Sequence, residues 1–275
     1  MKNIDKKVVE DFGEEWDRFK QSNISQVDLK MAWDQYFSIF PFEKLNSNSV
    51  GFDMGCGSGR WAVFSAPKVG FLNCIDPSIK ALNVAKDNLS EFNNIAFHNA
   101  SVSDDILEPS SQDFGYCLGV LHHVPDTVEG LKCCNKILKH GAPFLLYLYY
   151  NFENRSQVFK TIWWFSNIIR LVISRMPSPI KIFITYLIAI FIYYPLARLA
   201  LLFEKLGIDP RYIPLSDYRN KAFTFLATDS LDRFGTRLEK RYSRKDVHEM
   251  LEEAGFENIK FSNTEPFWVC ICYKK

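Results

Sequence analysis

Short, almost wholly apolar runs alternate with helical stretches through the middle of the chain. Val50 to Met54 is the first run and ends in Gly55-Cys56-Gly57-Ser58-Gly59; Phe71 to Ile75 is the second and ends at Asp76-Pro77-Ser78. A helical stretch to about Leu89 follows, then a third run, Ile95 to Phe97, and a fourth, Phe114 to Leu118, stopped by Gly119. Residues 126–138 read as helix, and Pro143 to Tyr149 as a fifth strand. Near-continuous apolar strands between helices predict a parallel sheet covered on both faces. At the C-terminus Ser243 heads a helix, Arg244 to Ala254, stopped by Gly255. The runs Asn258 to Ser262 and Phe267 to Tyr273 are close enough in sequence to form an antiparallel hairpin at the edge of that sheet.

Two regions depart from this texture. Residues 1–45 read as helical and amphipathic, with Phe12, Trp16 and Phe19 at helical spacing. Residues 156–206 hold much of the aromatic content, and Pro177-Ser178-Pro179 divides them into two helices, with Gly207 just past the second. The longest charge-free stretch, Ile182 to Ala197, contains Pro195 and spans roughly 24 Å at ~1.5 Å per residue, short of a ~30 Å hydrocarbon core. A spanning helix is therefore not expected. Lys160, Arg170, Arg175, Lys181, Arg198 and Lys205 punctuate this segment. Aromatic, apolar and basic side chains together suit a helical hairpin in a membrane interface, giving peripheral membrane contact through residues 158–205. A helical cap on the sheet, or the surface of a homodimer, explains the same residues.

The chain has 275 residues, 47% of them hydrophobic and 24% charged, which excludes a disordered chain and a disulfide miniprotein. Net charge is +1, so there is no basic excess for broad capture of nucleic acid. The cysteine count is odd (Cys56, Cys74, Cys117, Cys133, Cys134, Cys270 and Cys272), and most of these lie within apolar runs. With charged opening residues this points to a reducing, cytoplasmic setting, and without a Cys-x-x-Cys pair no metal site is expected.

The chemistry concentrates where the first two strands end. A strand, a glycine-rich turn and a helix place backbone N–H groups against a ligand. In Asp53-Met54-Gly55-Cys56-Gly57-Ser58-Gly59 the third glycine comes one residue earlier than in a dinucleotide fingerprint, and Arg60 occupies the dinucleotide position. The acid that ends the strand, Asp53, disfavours a pyrophosphate and suits a cationic amino-acid moiety. Asp76 ends the second strand, where a carboxylate accepts both hydroxyls of a ribose. A nucleoside joined to an amino acid is S-adenosylmethionine.

Asp53 to Trp61, Ile75-Asp76-Pro77-Ser78 and Gly119-Val120-Leu121-His122-His123-Val124-Pro125-Asp126, with the tail Glu249 to Phe256, resemble class I S-adenosylmethionine-dependent methyltransferases. The branch they are most similar to is that of ubiquinone and menaquinone biosynthesis, over roughly residues 48–150 and 240–275. The resemblance implies an α/β fold, a doubly wound, seven-stranded, mostly parallel Rossmann-like sheet with a reversed last strand. It implies three regions: an N-terminal helical cap over the cofactor (1–47), a cofactor-binding core (48–153 and 240–275), and an inserted hydrophobic hairpin with an acceptor lid (154–239). Gly55, Gly57 and Gly59, with Met54 and Cys56 between and before them, would contact the methionine end. Asp76 would take the ribose, with Pro77 and Ser78 beside the adenine. The family's acid after the third strand is missing, and Asn99 or Ser101, next to Val102, stands in its place. Gly119 and Leu121 would line the pocket near the methyl group.

Methyl transfer from a sulfonium is an in-line displacement that needs alignment in a dry site, and a base where the acceptor carries a proton. His123 is the first candidate base and His122 the second. Tyr147 and Tyr149, at the end of the fifth strand, face the rim where such sheets bind ligands. Arg233 and Tyr242 belong to a polar, aromatic segment from Asp217 to Tyr242 that resembles an acceptor lid. The sequence thus reads as a methyltransferase for a hydrophobic or membrane-presented small molecule, with oxygen the methylated atom. Its rivals are a soluble metabolite or sugar precursor as acceptor, a nicotinamide oxidoreductase, and a non-catalytic nucleoside-binding protein.

Overall fold

The computed structural model describes residues 3–18, 26–210, 213–264 and 266–275, without the side chains of residues 15–18. Seven strands, β1 (Val50–Met54), β2 (Phe71–Asp76), β3 (Ile95–Asn99), β4 (Phe114–Leu118), β5 (Pro143–Tyr147), β6 (Phe256–Phe261) and β7 (Val269–Lys274), form one sheet in the order β3-β2-β1-β4-β5-β7-β6. The first five are parallel, and β7 runs antiparallel between β5 and β6. This is the Rossmann-like methyltransferase sheet with its reversed last strand, as the resemblance implied. β5 ends two residues earlier than its apolar run: the Tyr147 carbonyl accepts from the Gly119 N–H, and the Tyr149 N–H turns to the His122 ring.

Each strand divides its apolar residues between two cores, which is why the runs are nearly continuous. Phe52, Phe144 and Leu146 face one side, with Leu131, Cys134 and Ile137 of α5 (Thr127–Ile137) and Val247 and Leu251 of α10 (Arg244–Glu253). Leu72, Cys74, Phe114 and Leu145 face the other, with Trp33 and Phe37 of α2 (Gln26–Phe37) and Leu82, Ala85 and Leu89 of the α4 (Ile79–Asn88) region. Helix starts follow capping chemistry: Ser78, Asp126 and Ser243 each accept a backbone N–H three residues on, and Ser243 with Asp246 closes a capping box. The N-terminal segment, including α1 (Lys6–Arg18), clusters with the sheet in one unit that also holds residues 25–154 and 238–275. The Trp16 side chain and the whole of Phe19 lie outside the described residues.

Residues 155–237 form a second unit of helices: α6 (Gln157–Ile173), α7 (Ser178–Ile188), α8 (Tyr194–Lys205) and α9 (Phe223–Gly235). The structure corrects three expectations here. Residues 189–193 wind as π-helix between α7 and α8, so Ser178–Lys205 is one helix of 28 residues, long and apolar enough by length and composition to cross a bilayer. Pro195 cannot donate to the Phe191 carbonyl, and the widened turn before it makes room for its ring. Second, α6 and α7 do not form a free-standing hairpin, because both pack on α9, whose Leu226 and Phe234 join Ile173, Tyr193 and Ala197 in the unit's core. Third, the segment read as a polar lid is largely that buried helix α9. Two buried cations close its C-terminal end. The Arg170 guanidinium donates to the Thr236 and Arg237 carbonyls (2.8 and 3.3 Å), and Lys181 donates to the Gly235 carbonyl (3.3 Å).

The centre of the sheet depends on two reciprocal glycine–phenylalanine pairs across β1 and β4. Gly51 stands opposite Phe114, and Phe52 opposite Gly115. A Cβ on Gly115 would lie 2.2 Å from the Phe52 ring, and one on Gly51 2.3 Å from the Phe114 ring. Both rings are fully buried and have nowhere to move. Gly115→Ala should therefore cost about 1–3 kcal/mol by overpacking. For a chain of this size that is a drop of several degrees in Tm, at roughly 2–4 °C per kcal/mol. A thermal melt followed by circular dichroism checks this.

Candidate cofactor and active site

The strands β1 and β2 end side by side, with Met54 opposite Ile75. The Gly55 and Cys56 N–H groups both donate to the Ile75 carbonyl (2.8 and 3.0 Å), which folds the turn back over β2. Gly55, Gly57 and Gly59 all have positive φ (76°, 55° and 76°). At Gly55 a Cβ would also strike Val120 at 2.3 Å. Only glycine serves at that position.

Asp76 holds this turn. Its Oδ2 accepts from the Gly57 N–H (3.0 Å) and its Oδ1 from the Ser78 N–H (2.8 Å). Burial pushes its pKa up to about 6, with these two bonds pulling the other way. Burial pushes Asp53 higher, to about 8; the Tyr116 hydroxyl opposes the rise, Asp76 adds to it and the Arg60 charge opposes it. One Asp53 oxygen, Oδ2, is buried without a hydrogen-bond partner.

In front of these carboxylates lies a cavity of about 930 Å³, open mouth included. Its wall contains Met54, Gly55, Cys56 and Gly57 of the turn, then Asp76, Pro77 and Ser78, then Ser101 and Val102, then Gly119 and His123. All of these were singled out in the sequence. Asn99 is committed elsewhere, its amide donating to the Asp76 and Pro77 carbonyls (3.2 and 2.9 Å). Ser101 is in the wall, and both its N–H and its hydroxyl reach Asp104 Oδ2 (2.9 Å each). With its proton given to Asp104, the Ser101 oxygen presents lone pairs, as an acceptor for an amino group must.

The other candidates lie behind or away from the wall. Gly59 allows close packing, since a Cβ there would lie 2.6 Å from Leu89. Leu121 is fully buried and its carbonyl accepts from the Thr127 hydroxyl (2.8 Å). Asp53 stands directly behind Met54 and Gly55. Tyr147 packs edge-on to Tyr36 (5.1 Å between ring centres), and Tyr149 stacks on His122 (3.8 Å). Tyr242 holds the Thr127 hydroxyl through its own (2.7 Å). Arg233 belongs to the helical unit, over the Trp163 ring and bonded to the Ser166 hydroxyl.

The two histidines separate clearly. His122 is fully buried, and its Nδ1 accepts from the Tyr149 N–H (3.4 Å), so its proton resides on Nε2, which is buried without a partner. Burial, with the charges of His123 and Arg241, holds its pKa well below the usual imidazole value. It is a neutral structural ring rather than a candidate base. His123 lines the cavity, and its Nδ1 lies 2.7 Å from the Leu238 carbonyl. A carbonyl only accepts, so Nδ1 carries the proton and Nε2 carries the lone pair.

The N-terminal segment, expected as a cap over the cofactor, contributes wall residues that the sequence did not single out, among them Asn3, Asp5 and Val8. Phe12 lines the cavity with them and packs 4.9 Å from the His123 ring. Asn3 spans it: its N–H donates to the Ser103 hydroxyl (3.1 Å) and its side chain accepts from the Asp126 N–H (2.8 Å). The signal was Gly13 in an otherwise helical segment. A Cβ there would lie 2.4 Å from the Ser78 hydroxyl, so the glycine lets α1 cross the start of α4.

Fold and cavity together define a class I methyltransferase domain. Residues 52–141 match the family model described as a methyltransferase domain. Among curated proteins the chain is similar to ubiquinone biosynthesis O-methyltransferases: 30% identical to that of Nitrosospira multiformis over 40% of this chain and 52% of the relative, and 33% identical to that of Nitrosomonas europaea over 35% and 42%. The chain spans about half the length of the curated relatives it matches. Among solved structures it is similar to an S-adenosylmethionine-dependent methyltransferase of Thermotoga maritima (TM-score 0.50, 14% identity, 96% of this chain and 100% of that one). It is also similar to the phosphoethanolamine N-methyltransferase 2 of Haemonchus contortus, solved with S-adenosylhomocysteine (TM-score 0.51, 14% identity, 93% and 46%). Residues 52–141 thus carry a methyltransferase domain, set in the Rossmann-like methyltransferase fold, and the chain is similar to the ubiquinone-like branch of that class.

The residues fit that cofactor. The glycine cradle has no room for side chains, Asp76 keeps lone pairs for a ribose diol, and the orphaned Asp53 oxygen calls for a cationic group nearby. Asp76→Ala should weaken S-adenosylhomocysteine binding by about 1.5–3 kcal/mol, roughly 10- to 100-fold, as charge-assisted hydrogen bonds are worth. The diol needs the ionised carboxylate, and with a pKa of about 6 that form is lost as pH falls. Affinity measured by calorimetry should hold above pH 6 and decline by roughly tenfold per pH unit below it.

Proposed function

We propose that the chain transfers a methyl group from S-adenosylmethionine to an oxygen of a hydrophobic small-molecule acceptor, in a reducing cytoplasm that suits its seven free thiols. When bound, the cofactor supplies an electrophilic methyl group on a sulfonium. Arg60 offers its charge to the carboxylate of the methionine moiety, Asp76 takes the ribose, and Ser101 accepts from the adenine amino group, while the buried Asp53 carboxyl ionises once a cationic group lies near it. The observation that carries the proposal is the His123 ring in the cavity wall, held by the Leu238 carbonyl in the tautomer that leaves Nε2 able to accept an acceptor's proton. Phe12 packs on the His123 ring, and Val8, Val9, Val120 and Val124 line the same cavity, so an acceptor's carbon skeleton meets an apolar wall. The O-methyltransferase names of the curated relatives support oxygen as the methylated atom and quinone-precursor phenols as the acceptor class.

Purified protein is incubated with methyl-labelled S-adenosylmethionine and a panel of alkylated phenols and catechols, with sugar phosphates and amines as the contrasting arm. Transfer to phenolic oxygen is expected. Transfer only to the soluble polar arm overturns the acceptor class, and cofactor binding without transfer to any member overturns the activity. His123→Gln should lower turnover by roughly 10²- to 10⁴-fold, the usual worth of a general base. Its affinity for S-adenosylhomocysteine should stay within about threefold of the parent, since the imidazole forms only one edge of the wall.

A further inference from the structure

The helical unit has a small apolar core and exposes far more apolar surface than it buries there. Among the described residues 22 large hydrophobic side chains are exposed, and 18 of them lie between Val158 and Ile208. On α6 the exposed positions Val158, Ile162, Phe165, Ile169 and Val172 fall three or four apart and make one continuous stripe. On the long helix Ile180, Phe183 and Tyr186 fall three apart, and Phe191 and Tyr194 follow five residues on, across the π-helical stretch; Phe191 is 71% exposed and Phe183 63%. The sides turned inward carry polar groups: Arg170 and Lys181 are only 5% and 4% exposed, and Ser174, Thr185 and Ser230 are buried with them. A helix folded for water turns its apolar stripe inward. An exposed apolar surface of this extent marks a site that another apolar phase covers.

Charge identifies the phase. Residues 155–237 contain 12 Lys and Arg against 5 Asp and Glu, a surplus of seven, whereas the rest of the chain has 21 against 27 and a deficit of six. The near-neutral total hides a strongly cationic helical unit joined to an anionic catalytic one. A second copy would bring surplus positive charge against surplus positive charge, while an anionic bilayer complements it.

We propose that residues 155–237 dock on the surface of an anionic lipid bilayer, with α6 and the Ser178–Lys205 helix lying in the headgroup plane and their aromatic stripes in the acyl boundary. The long helix does not cross the membrane, although its length allows it. α9 packs along α7 and carries Asp229, Asp232 and Arg233, and Lys181 and Arg170 close its end. A crossing would draw these charges into hydrocarbon, whereas docking in the plane leaves them on the side away from the lipid. The inference is independent of the methyl-transfer reading, because it uses no residue of the cofactor cavity.

The full chain is floated with vesicles of phosphatidylcholine alone and with vesicles containing about 30 mol% phosphatidylglycerol, in low and high salt. The wild type should float at least about fivefold more with the anionic vesicles, and salt should reduce the difference, as screened headgroup attraction requires. The combined variant Phe165→Ser, Phe183→Ser and Phe191→Ser should lose flotation. These side chains are exposed, so the variant keeps its S-adenosylhomocysteine affinity, which certifies the fold. Three results would overturn the proposal. One is wild type that stays at the bottom of the gradient. Another is equal flotation of wild type and variant, or bound protein that resists an alkaline wash and leaves the vesicles only with detergent, as a crossing helix would. The third is a detergent-free dimer that the triple variant dissolves without any flotation, which assigns the face to a second copy.

Discussion

Two carboxylates buried at the ends of adjacent strands set the terms for everything around them. Removing an ionised carboxyl from water is costly unless it is paired or hydrogen-bonded. Asp76 is compensated from within, because the glycine turn and the start of α4 each give it a backbone N–H. Asp53 is not, and one of its oxygens has no partner. Burial raises its pKa to about 8, so it is largely protonated at neutral pH, and a cationic group nearby favours its charged form. The glycines follow from the same requirement. Gly55 and Gly57 take the positive φ that brings the turn's N–H groups to Ile75 and Asp76, and a Cβ on Gly55 would strike Val120.

This end of the site was legible because its chemistry is local. An acid, a turn with three glycines and a second acid about twenty residues on are contiguous in the sequence, and capping serines and Gly255 mark the helices just as locally. What could not be read depends on contacts distant in the chain. Asn3 meets Asp126 across more than a hundred residues, and His123 meets Leu238 across a similar distance. Adjacent histidines look equivalent on paper. The structure distinguishes them because the Tyr149 amide faces one ring and a carbonyl faces the other, and that depends on where β5 leaves the sheet. The second inserted helix was legible from Pro179 and Gly207, but its apolar length exceeds its charge-free stretch, because Lys181 and Arg198 belong to the same helix and turn their charges to backbone carbonyls.

The two units divide the physics of the chain between them. In the sheet unit the apolar residues are inside and the charges outside, so aqueous burial holds it together. In the helical unit cations and hydroxyls bond carbonyls beside a small apolar core, and Phe165, Phe183 and Phe191 face out. Net charge and overall composition average these opposite arrangements into an unremarkable soluble profile. Burial resolved residue by residue separates them.

The helical unit leaves the catalytic unit after Asn154 and returns at Leu238, and both ends of that insertion are fastened beside the candidate base. Tyr150 and Tyr242 form an isolated parallel bridge, the Asn151 N–H donates to the Tyr242 carbonyl (3.0 Å), and the Arg244 N–H donates to Glu153 (2.8 Å). Between these fastenings the returning strand gives its Leu238 carbonyl to His123, and its Lys240 N–H to the His122 carbonyl (3.1 Å). The first residue after the inserted helices is therefore the one that fixes the His123 tautomer. An insertion placed on any other loop of the sheet would leave the base without its carbonyl. The return of the insertion is accordingly what orients the His123 ring, whatever surface its helices engage.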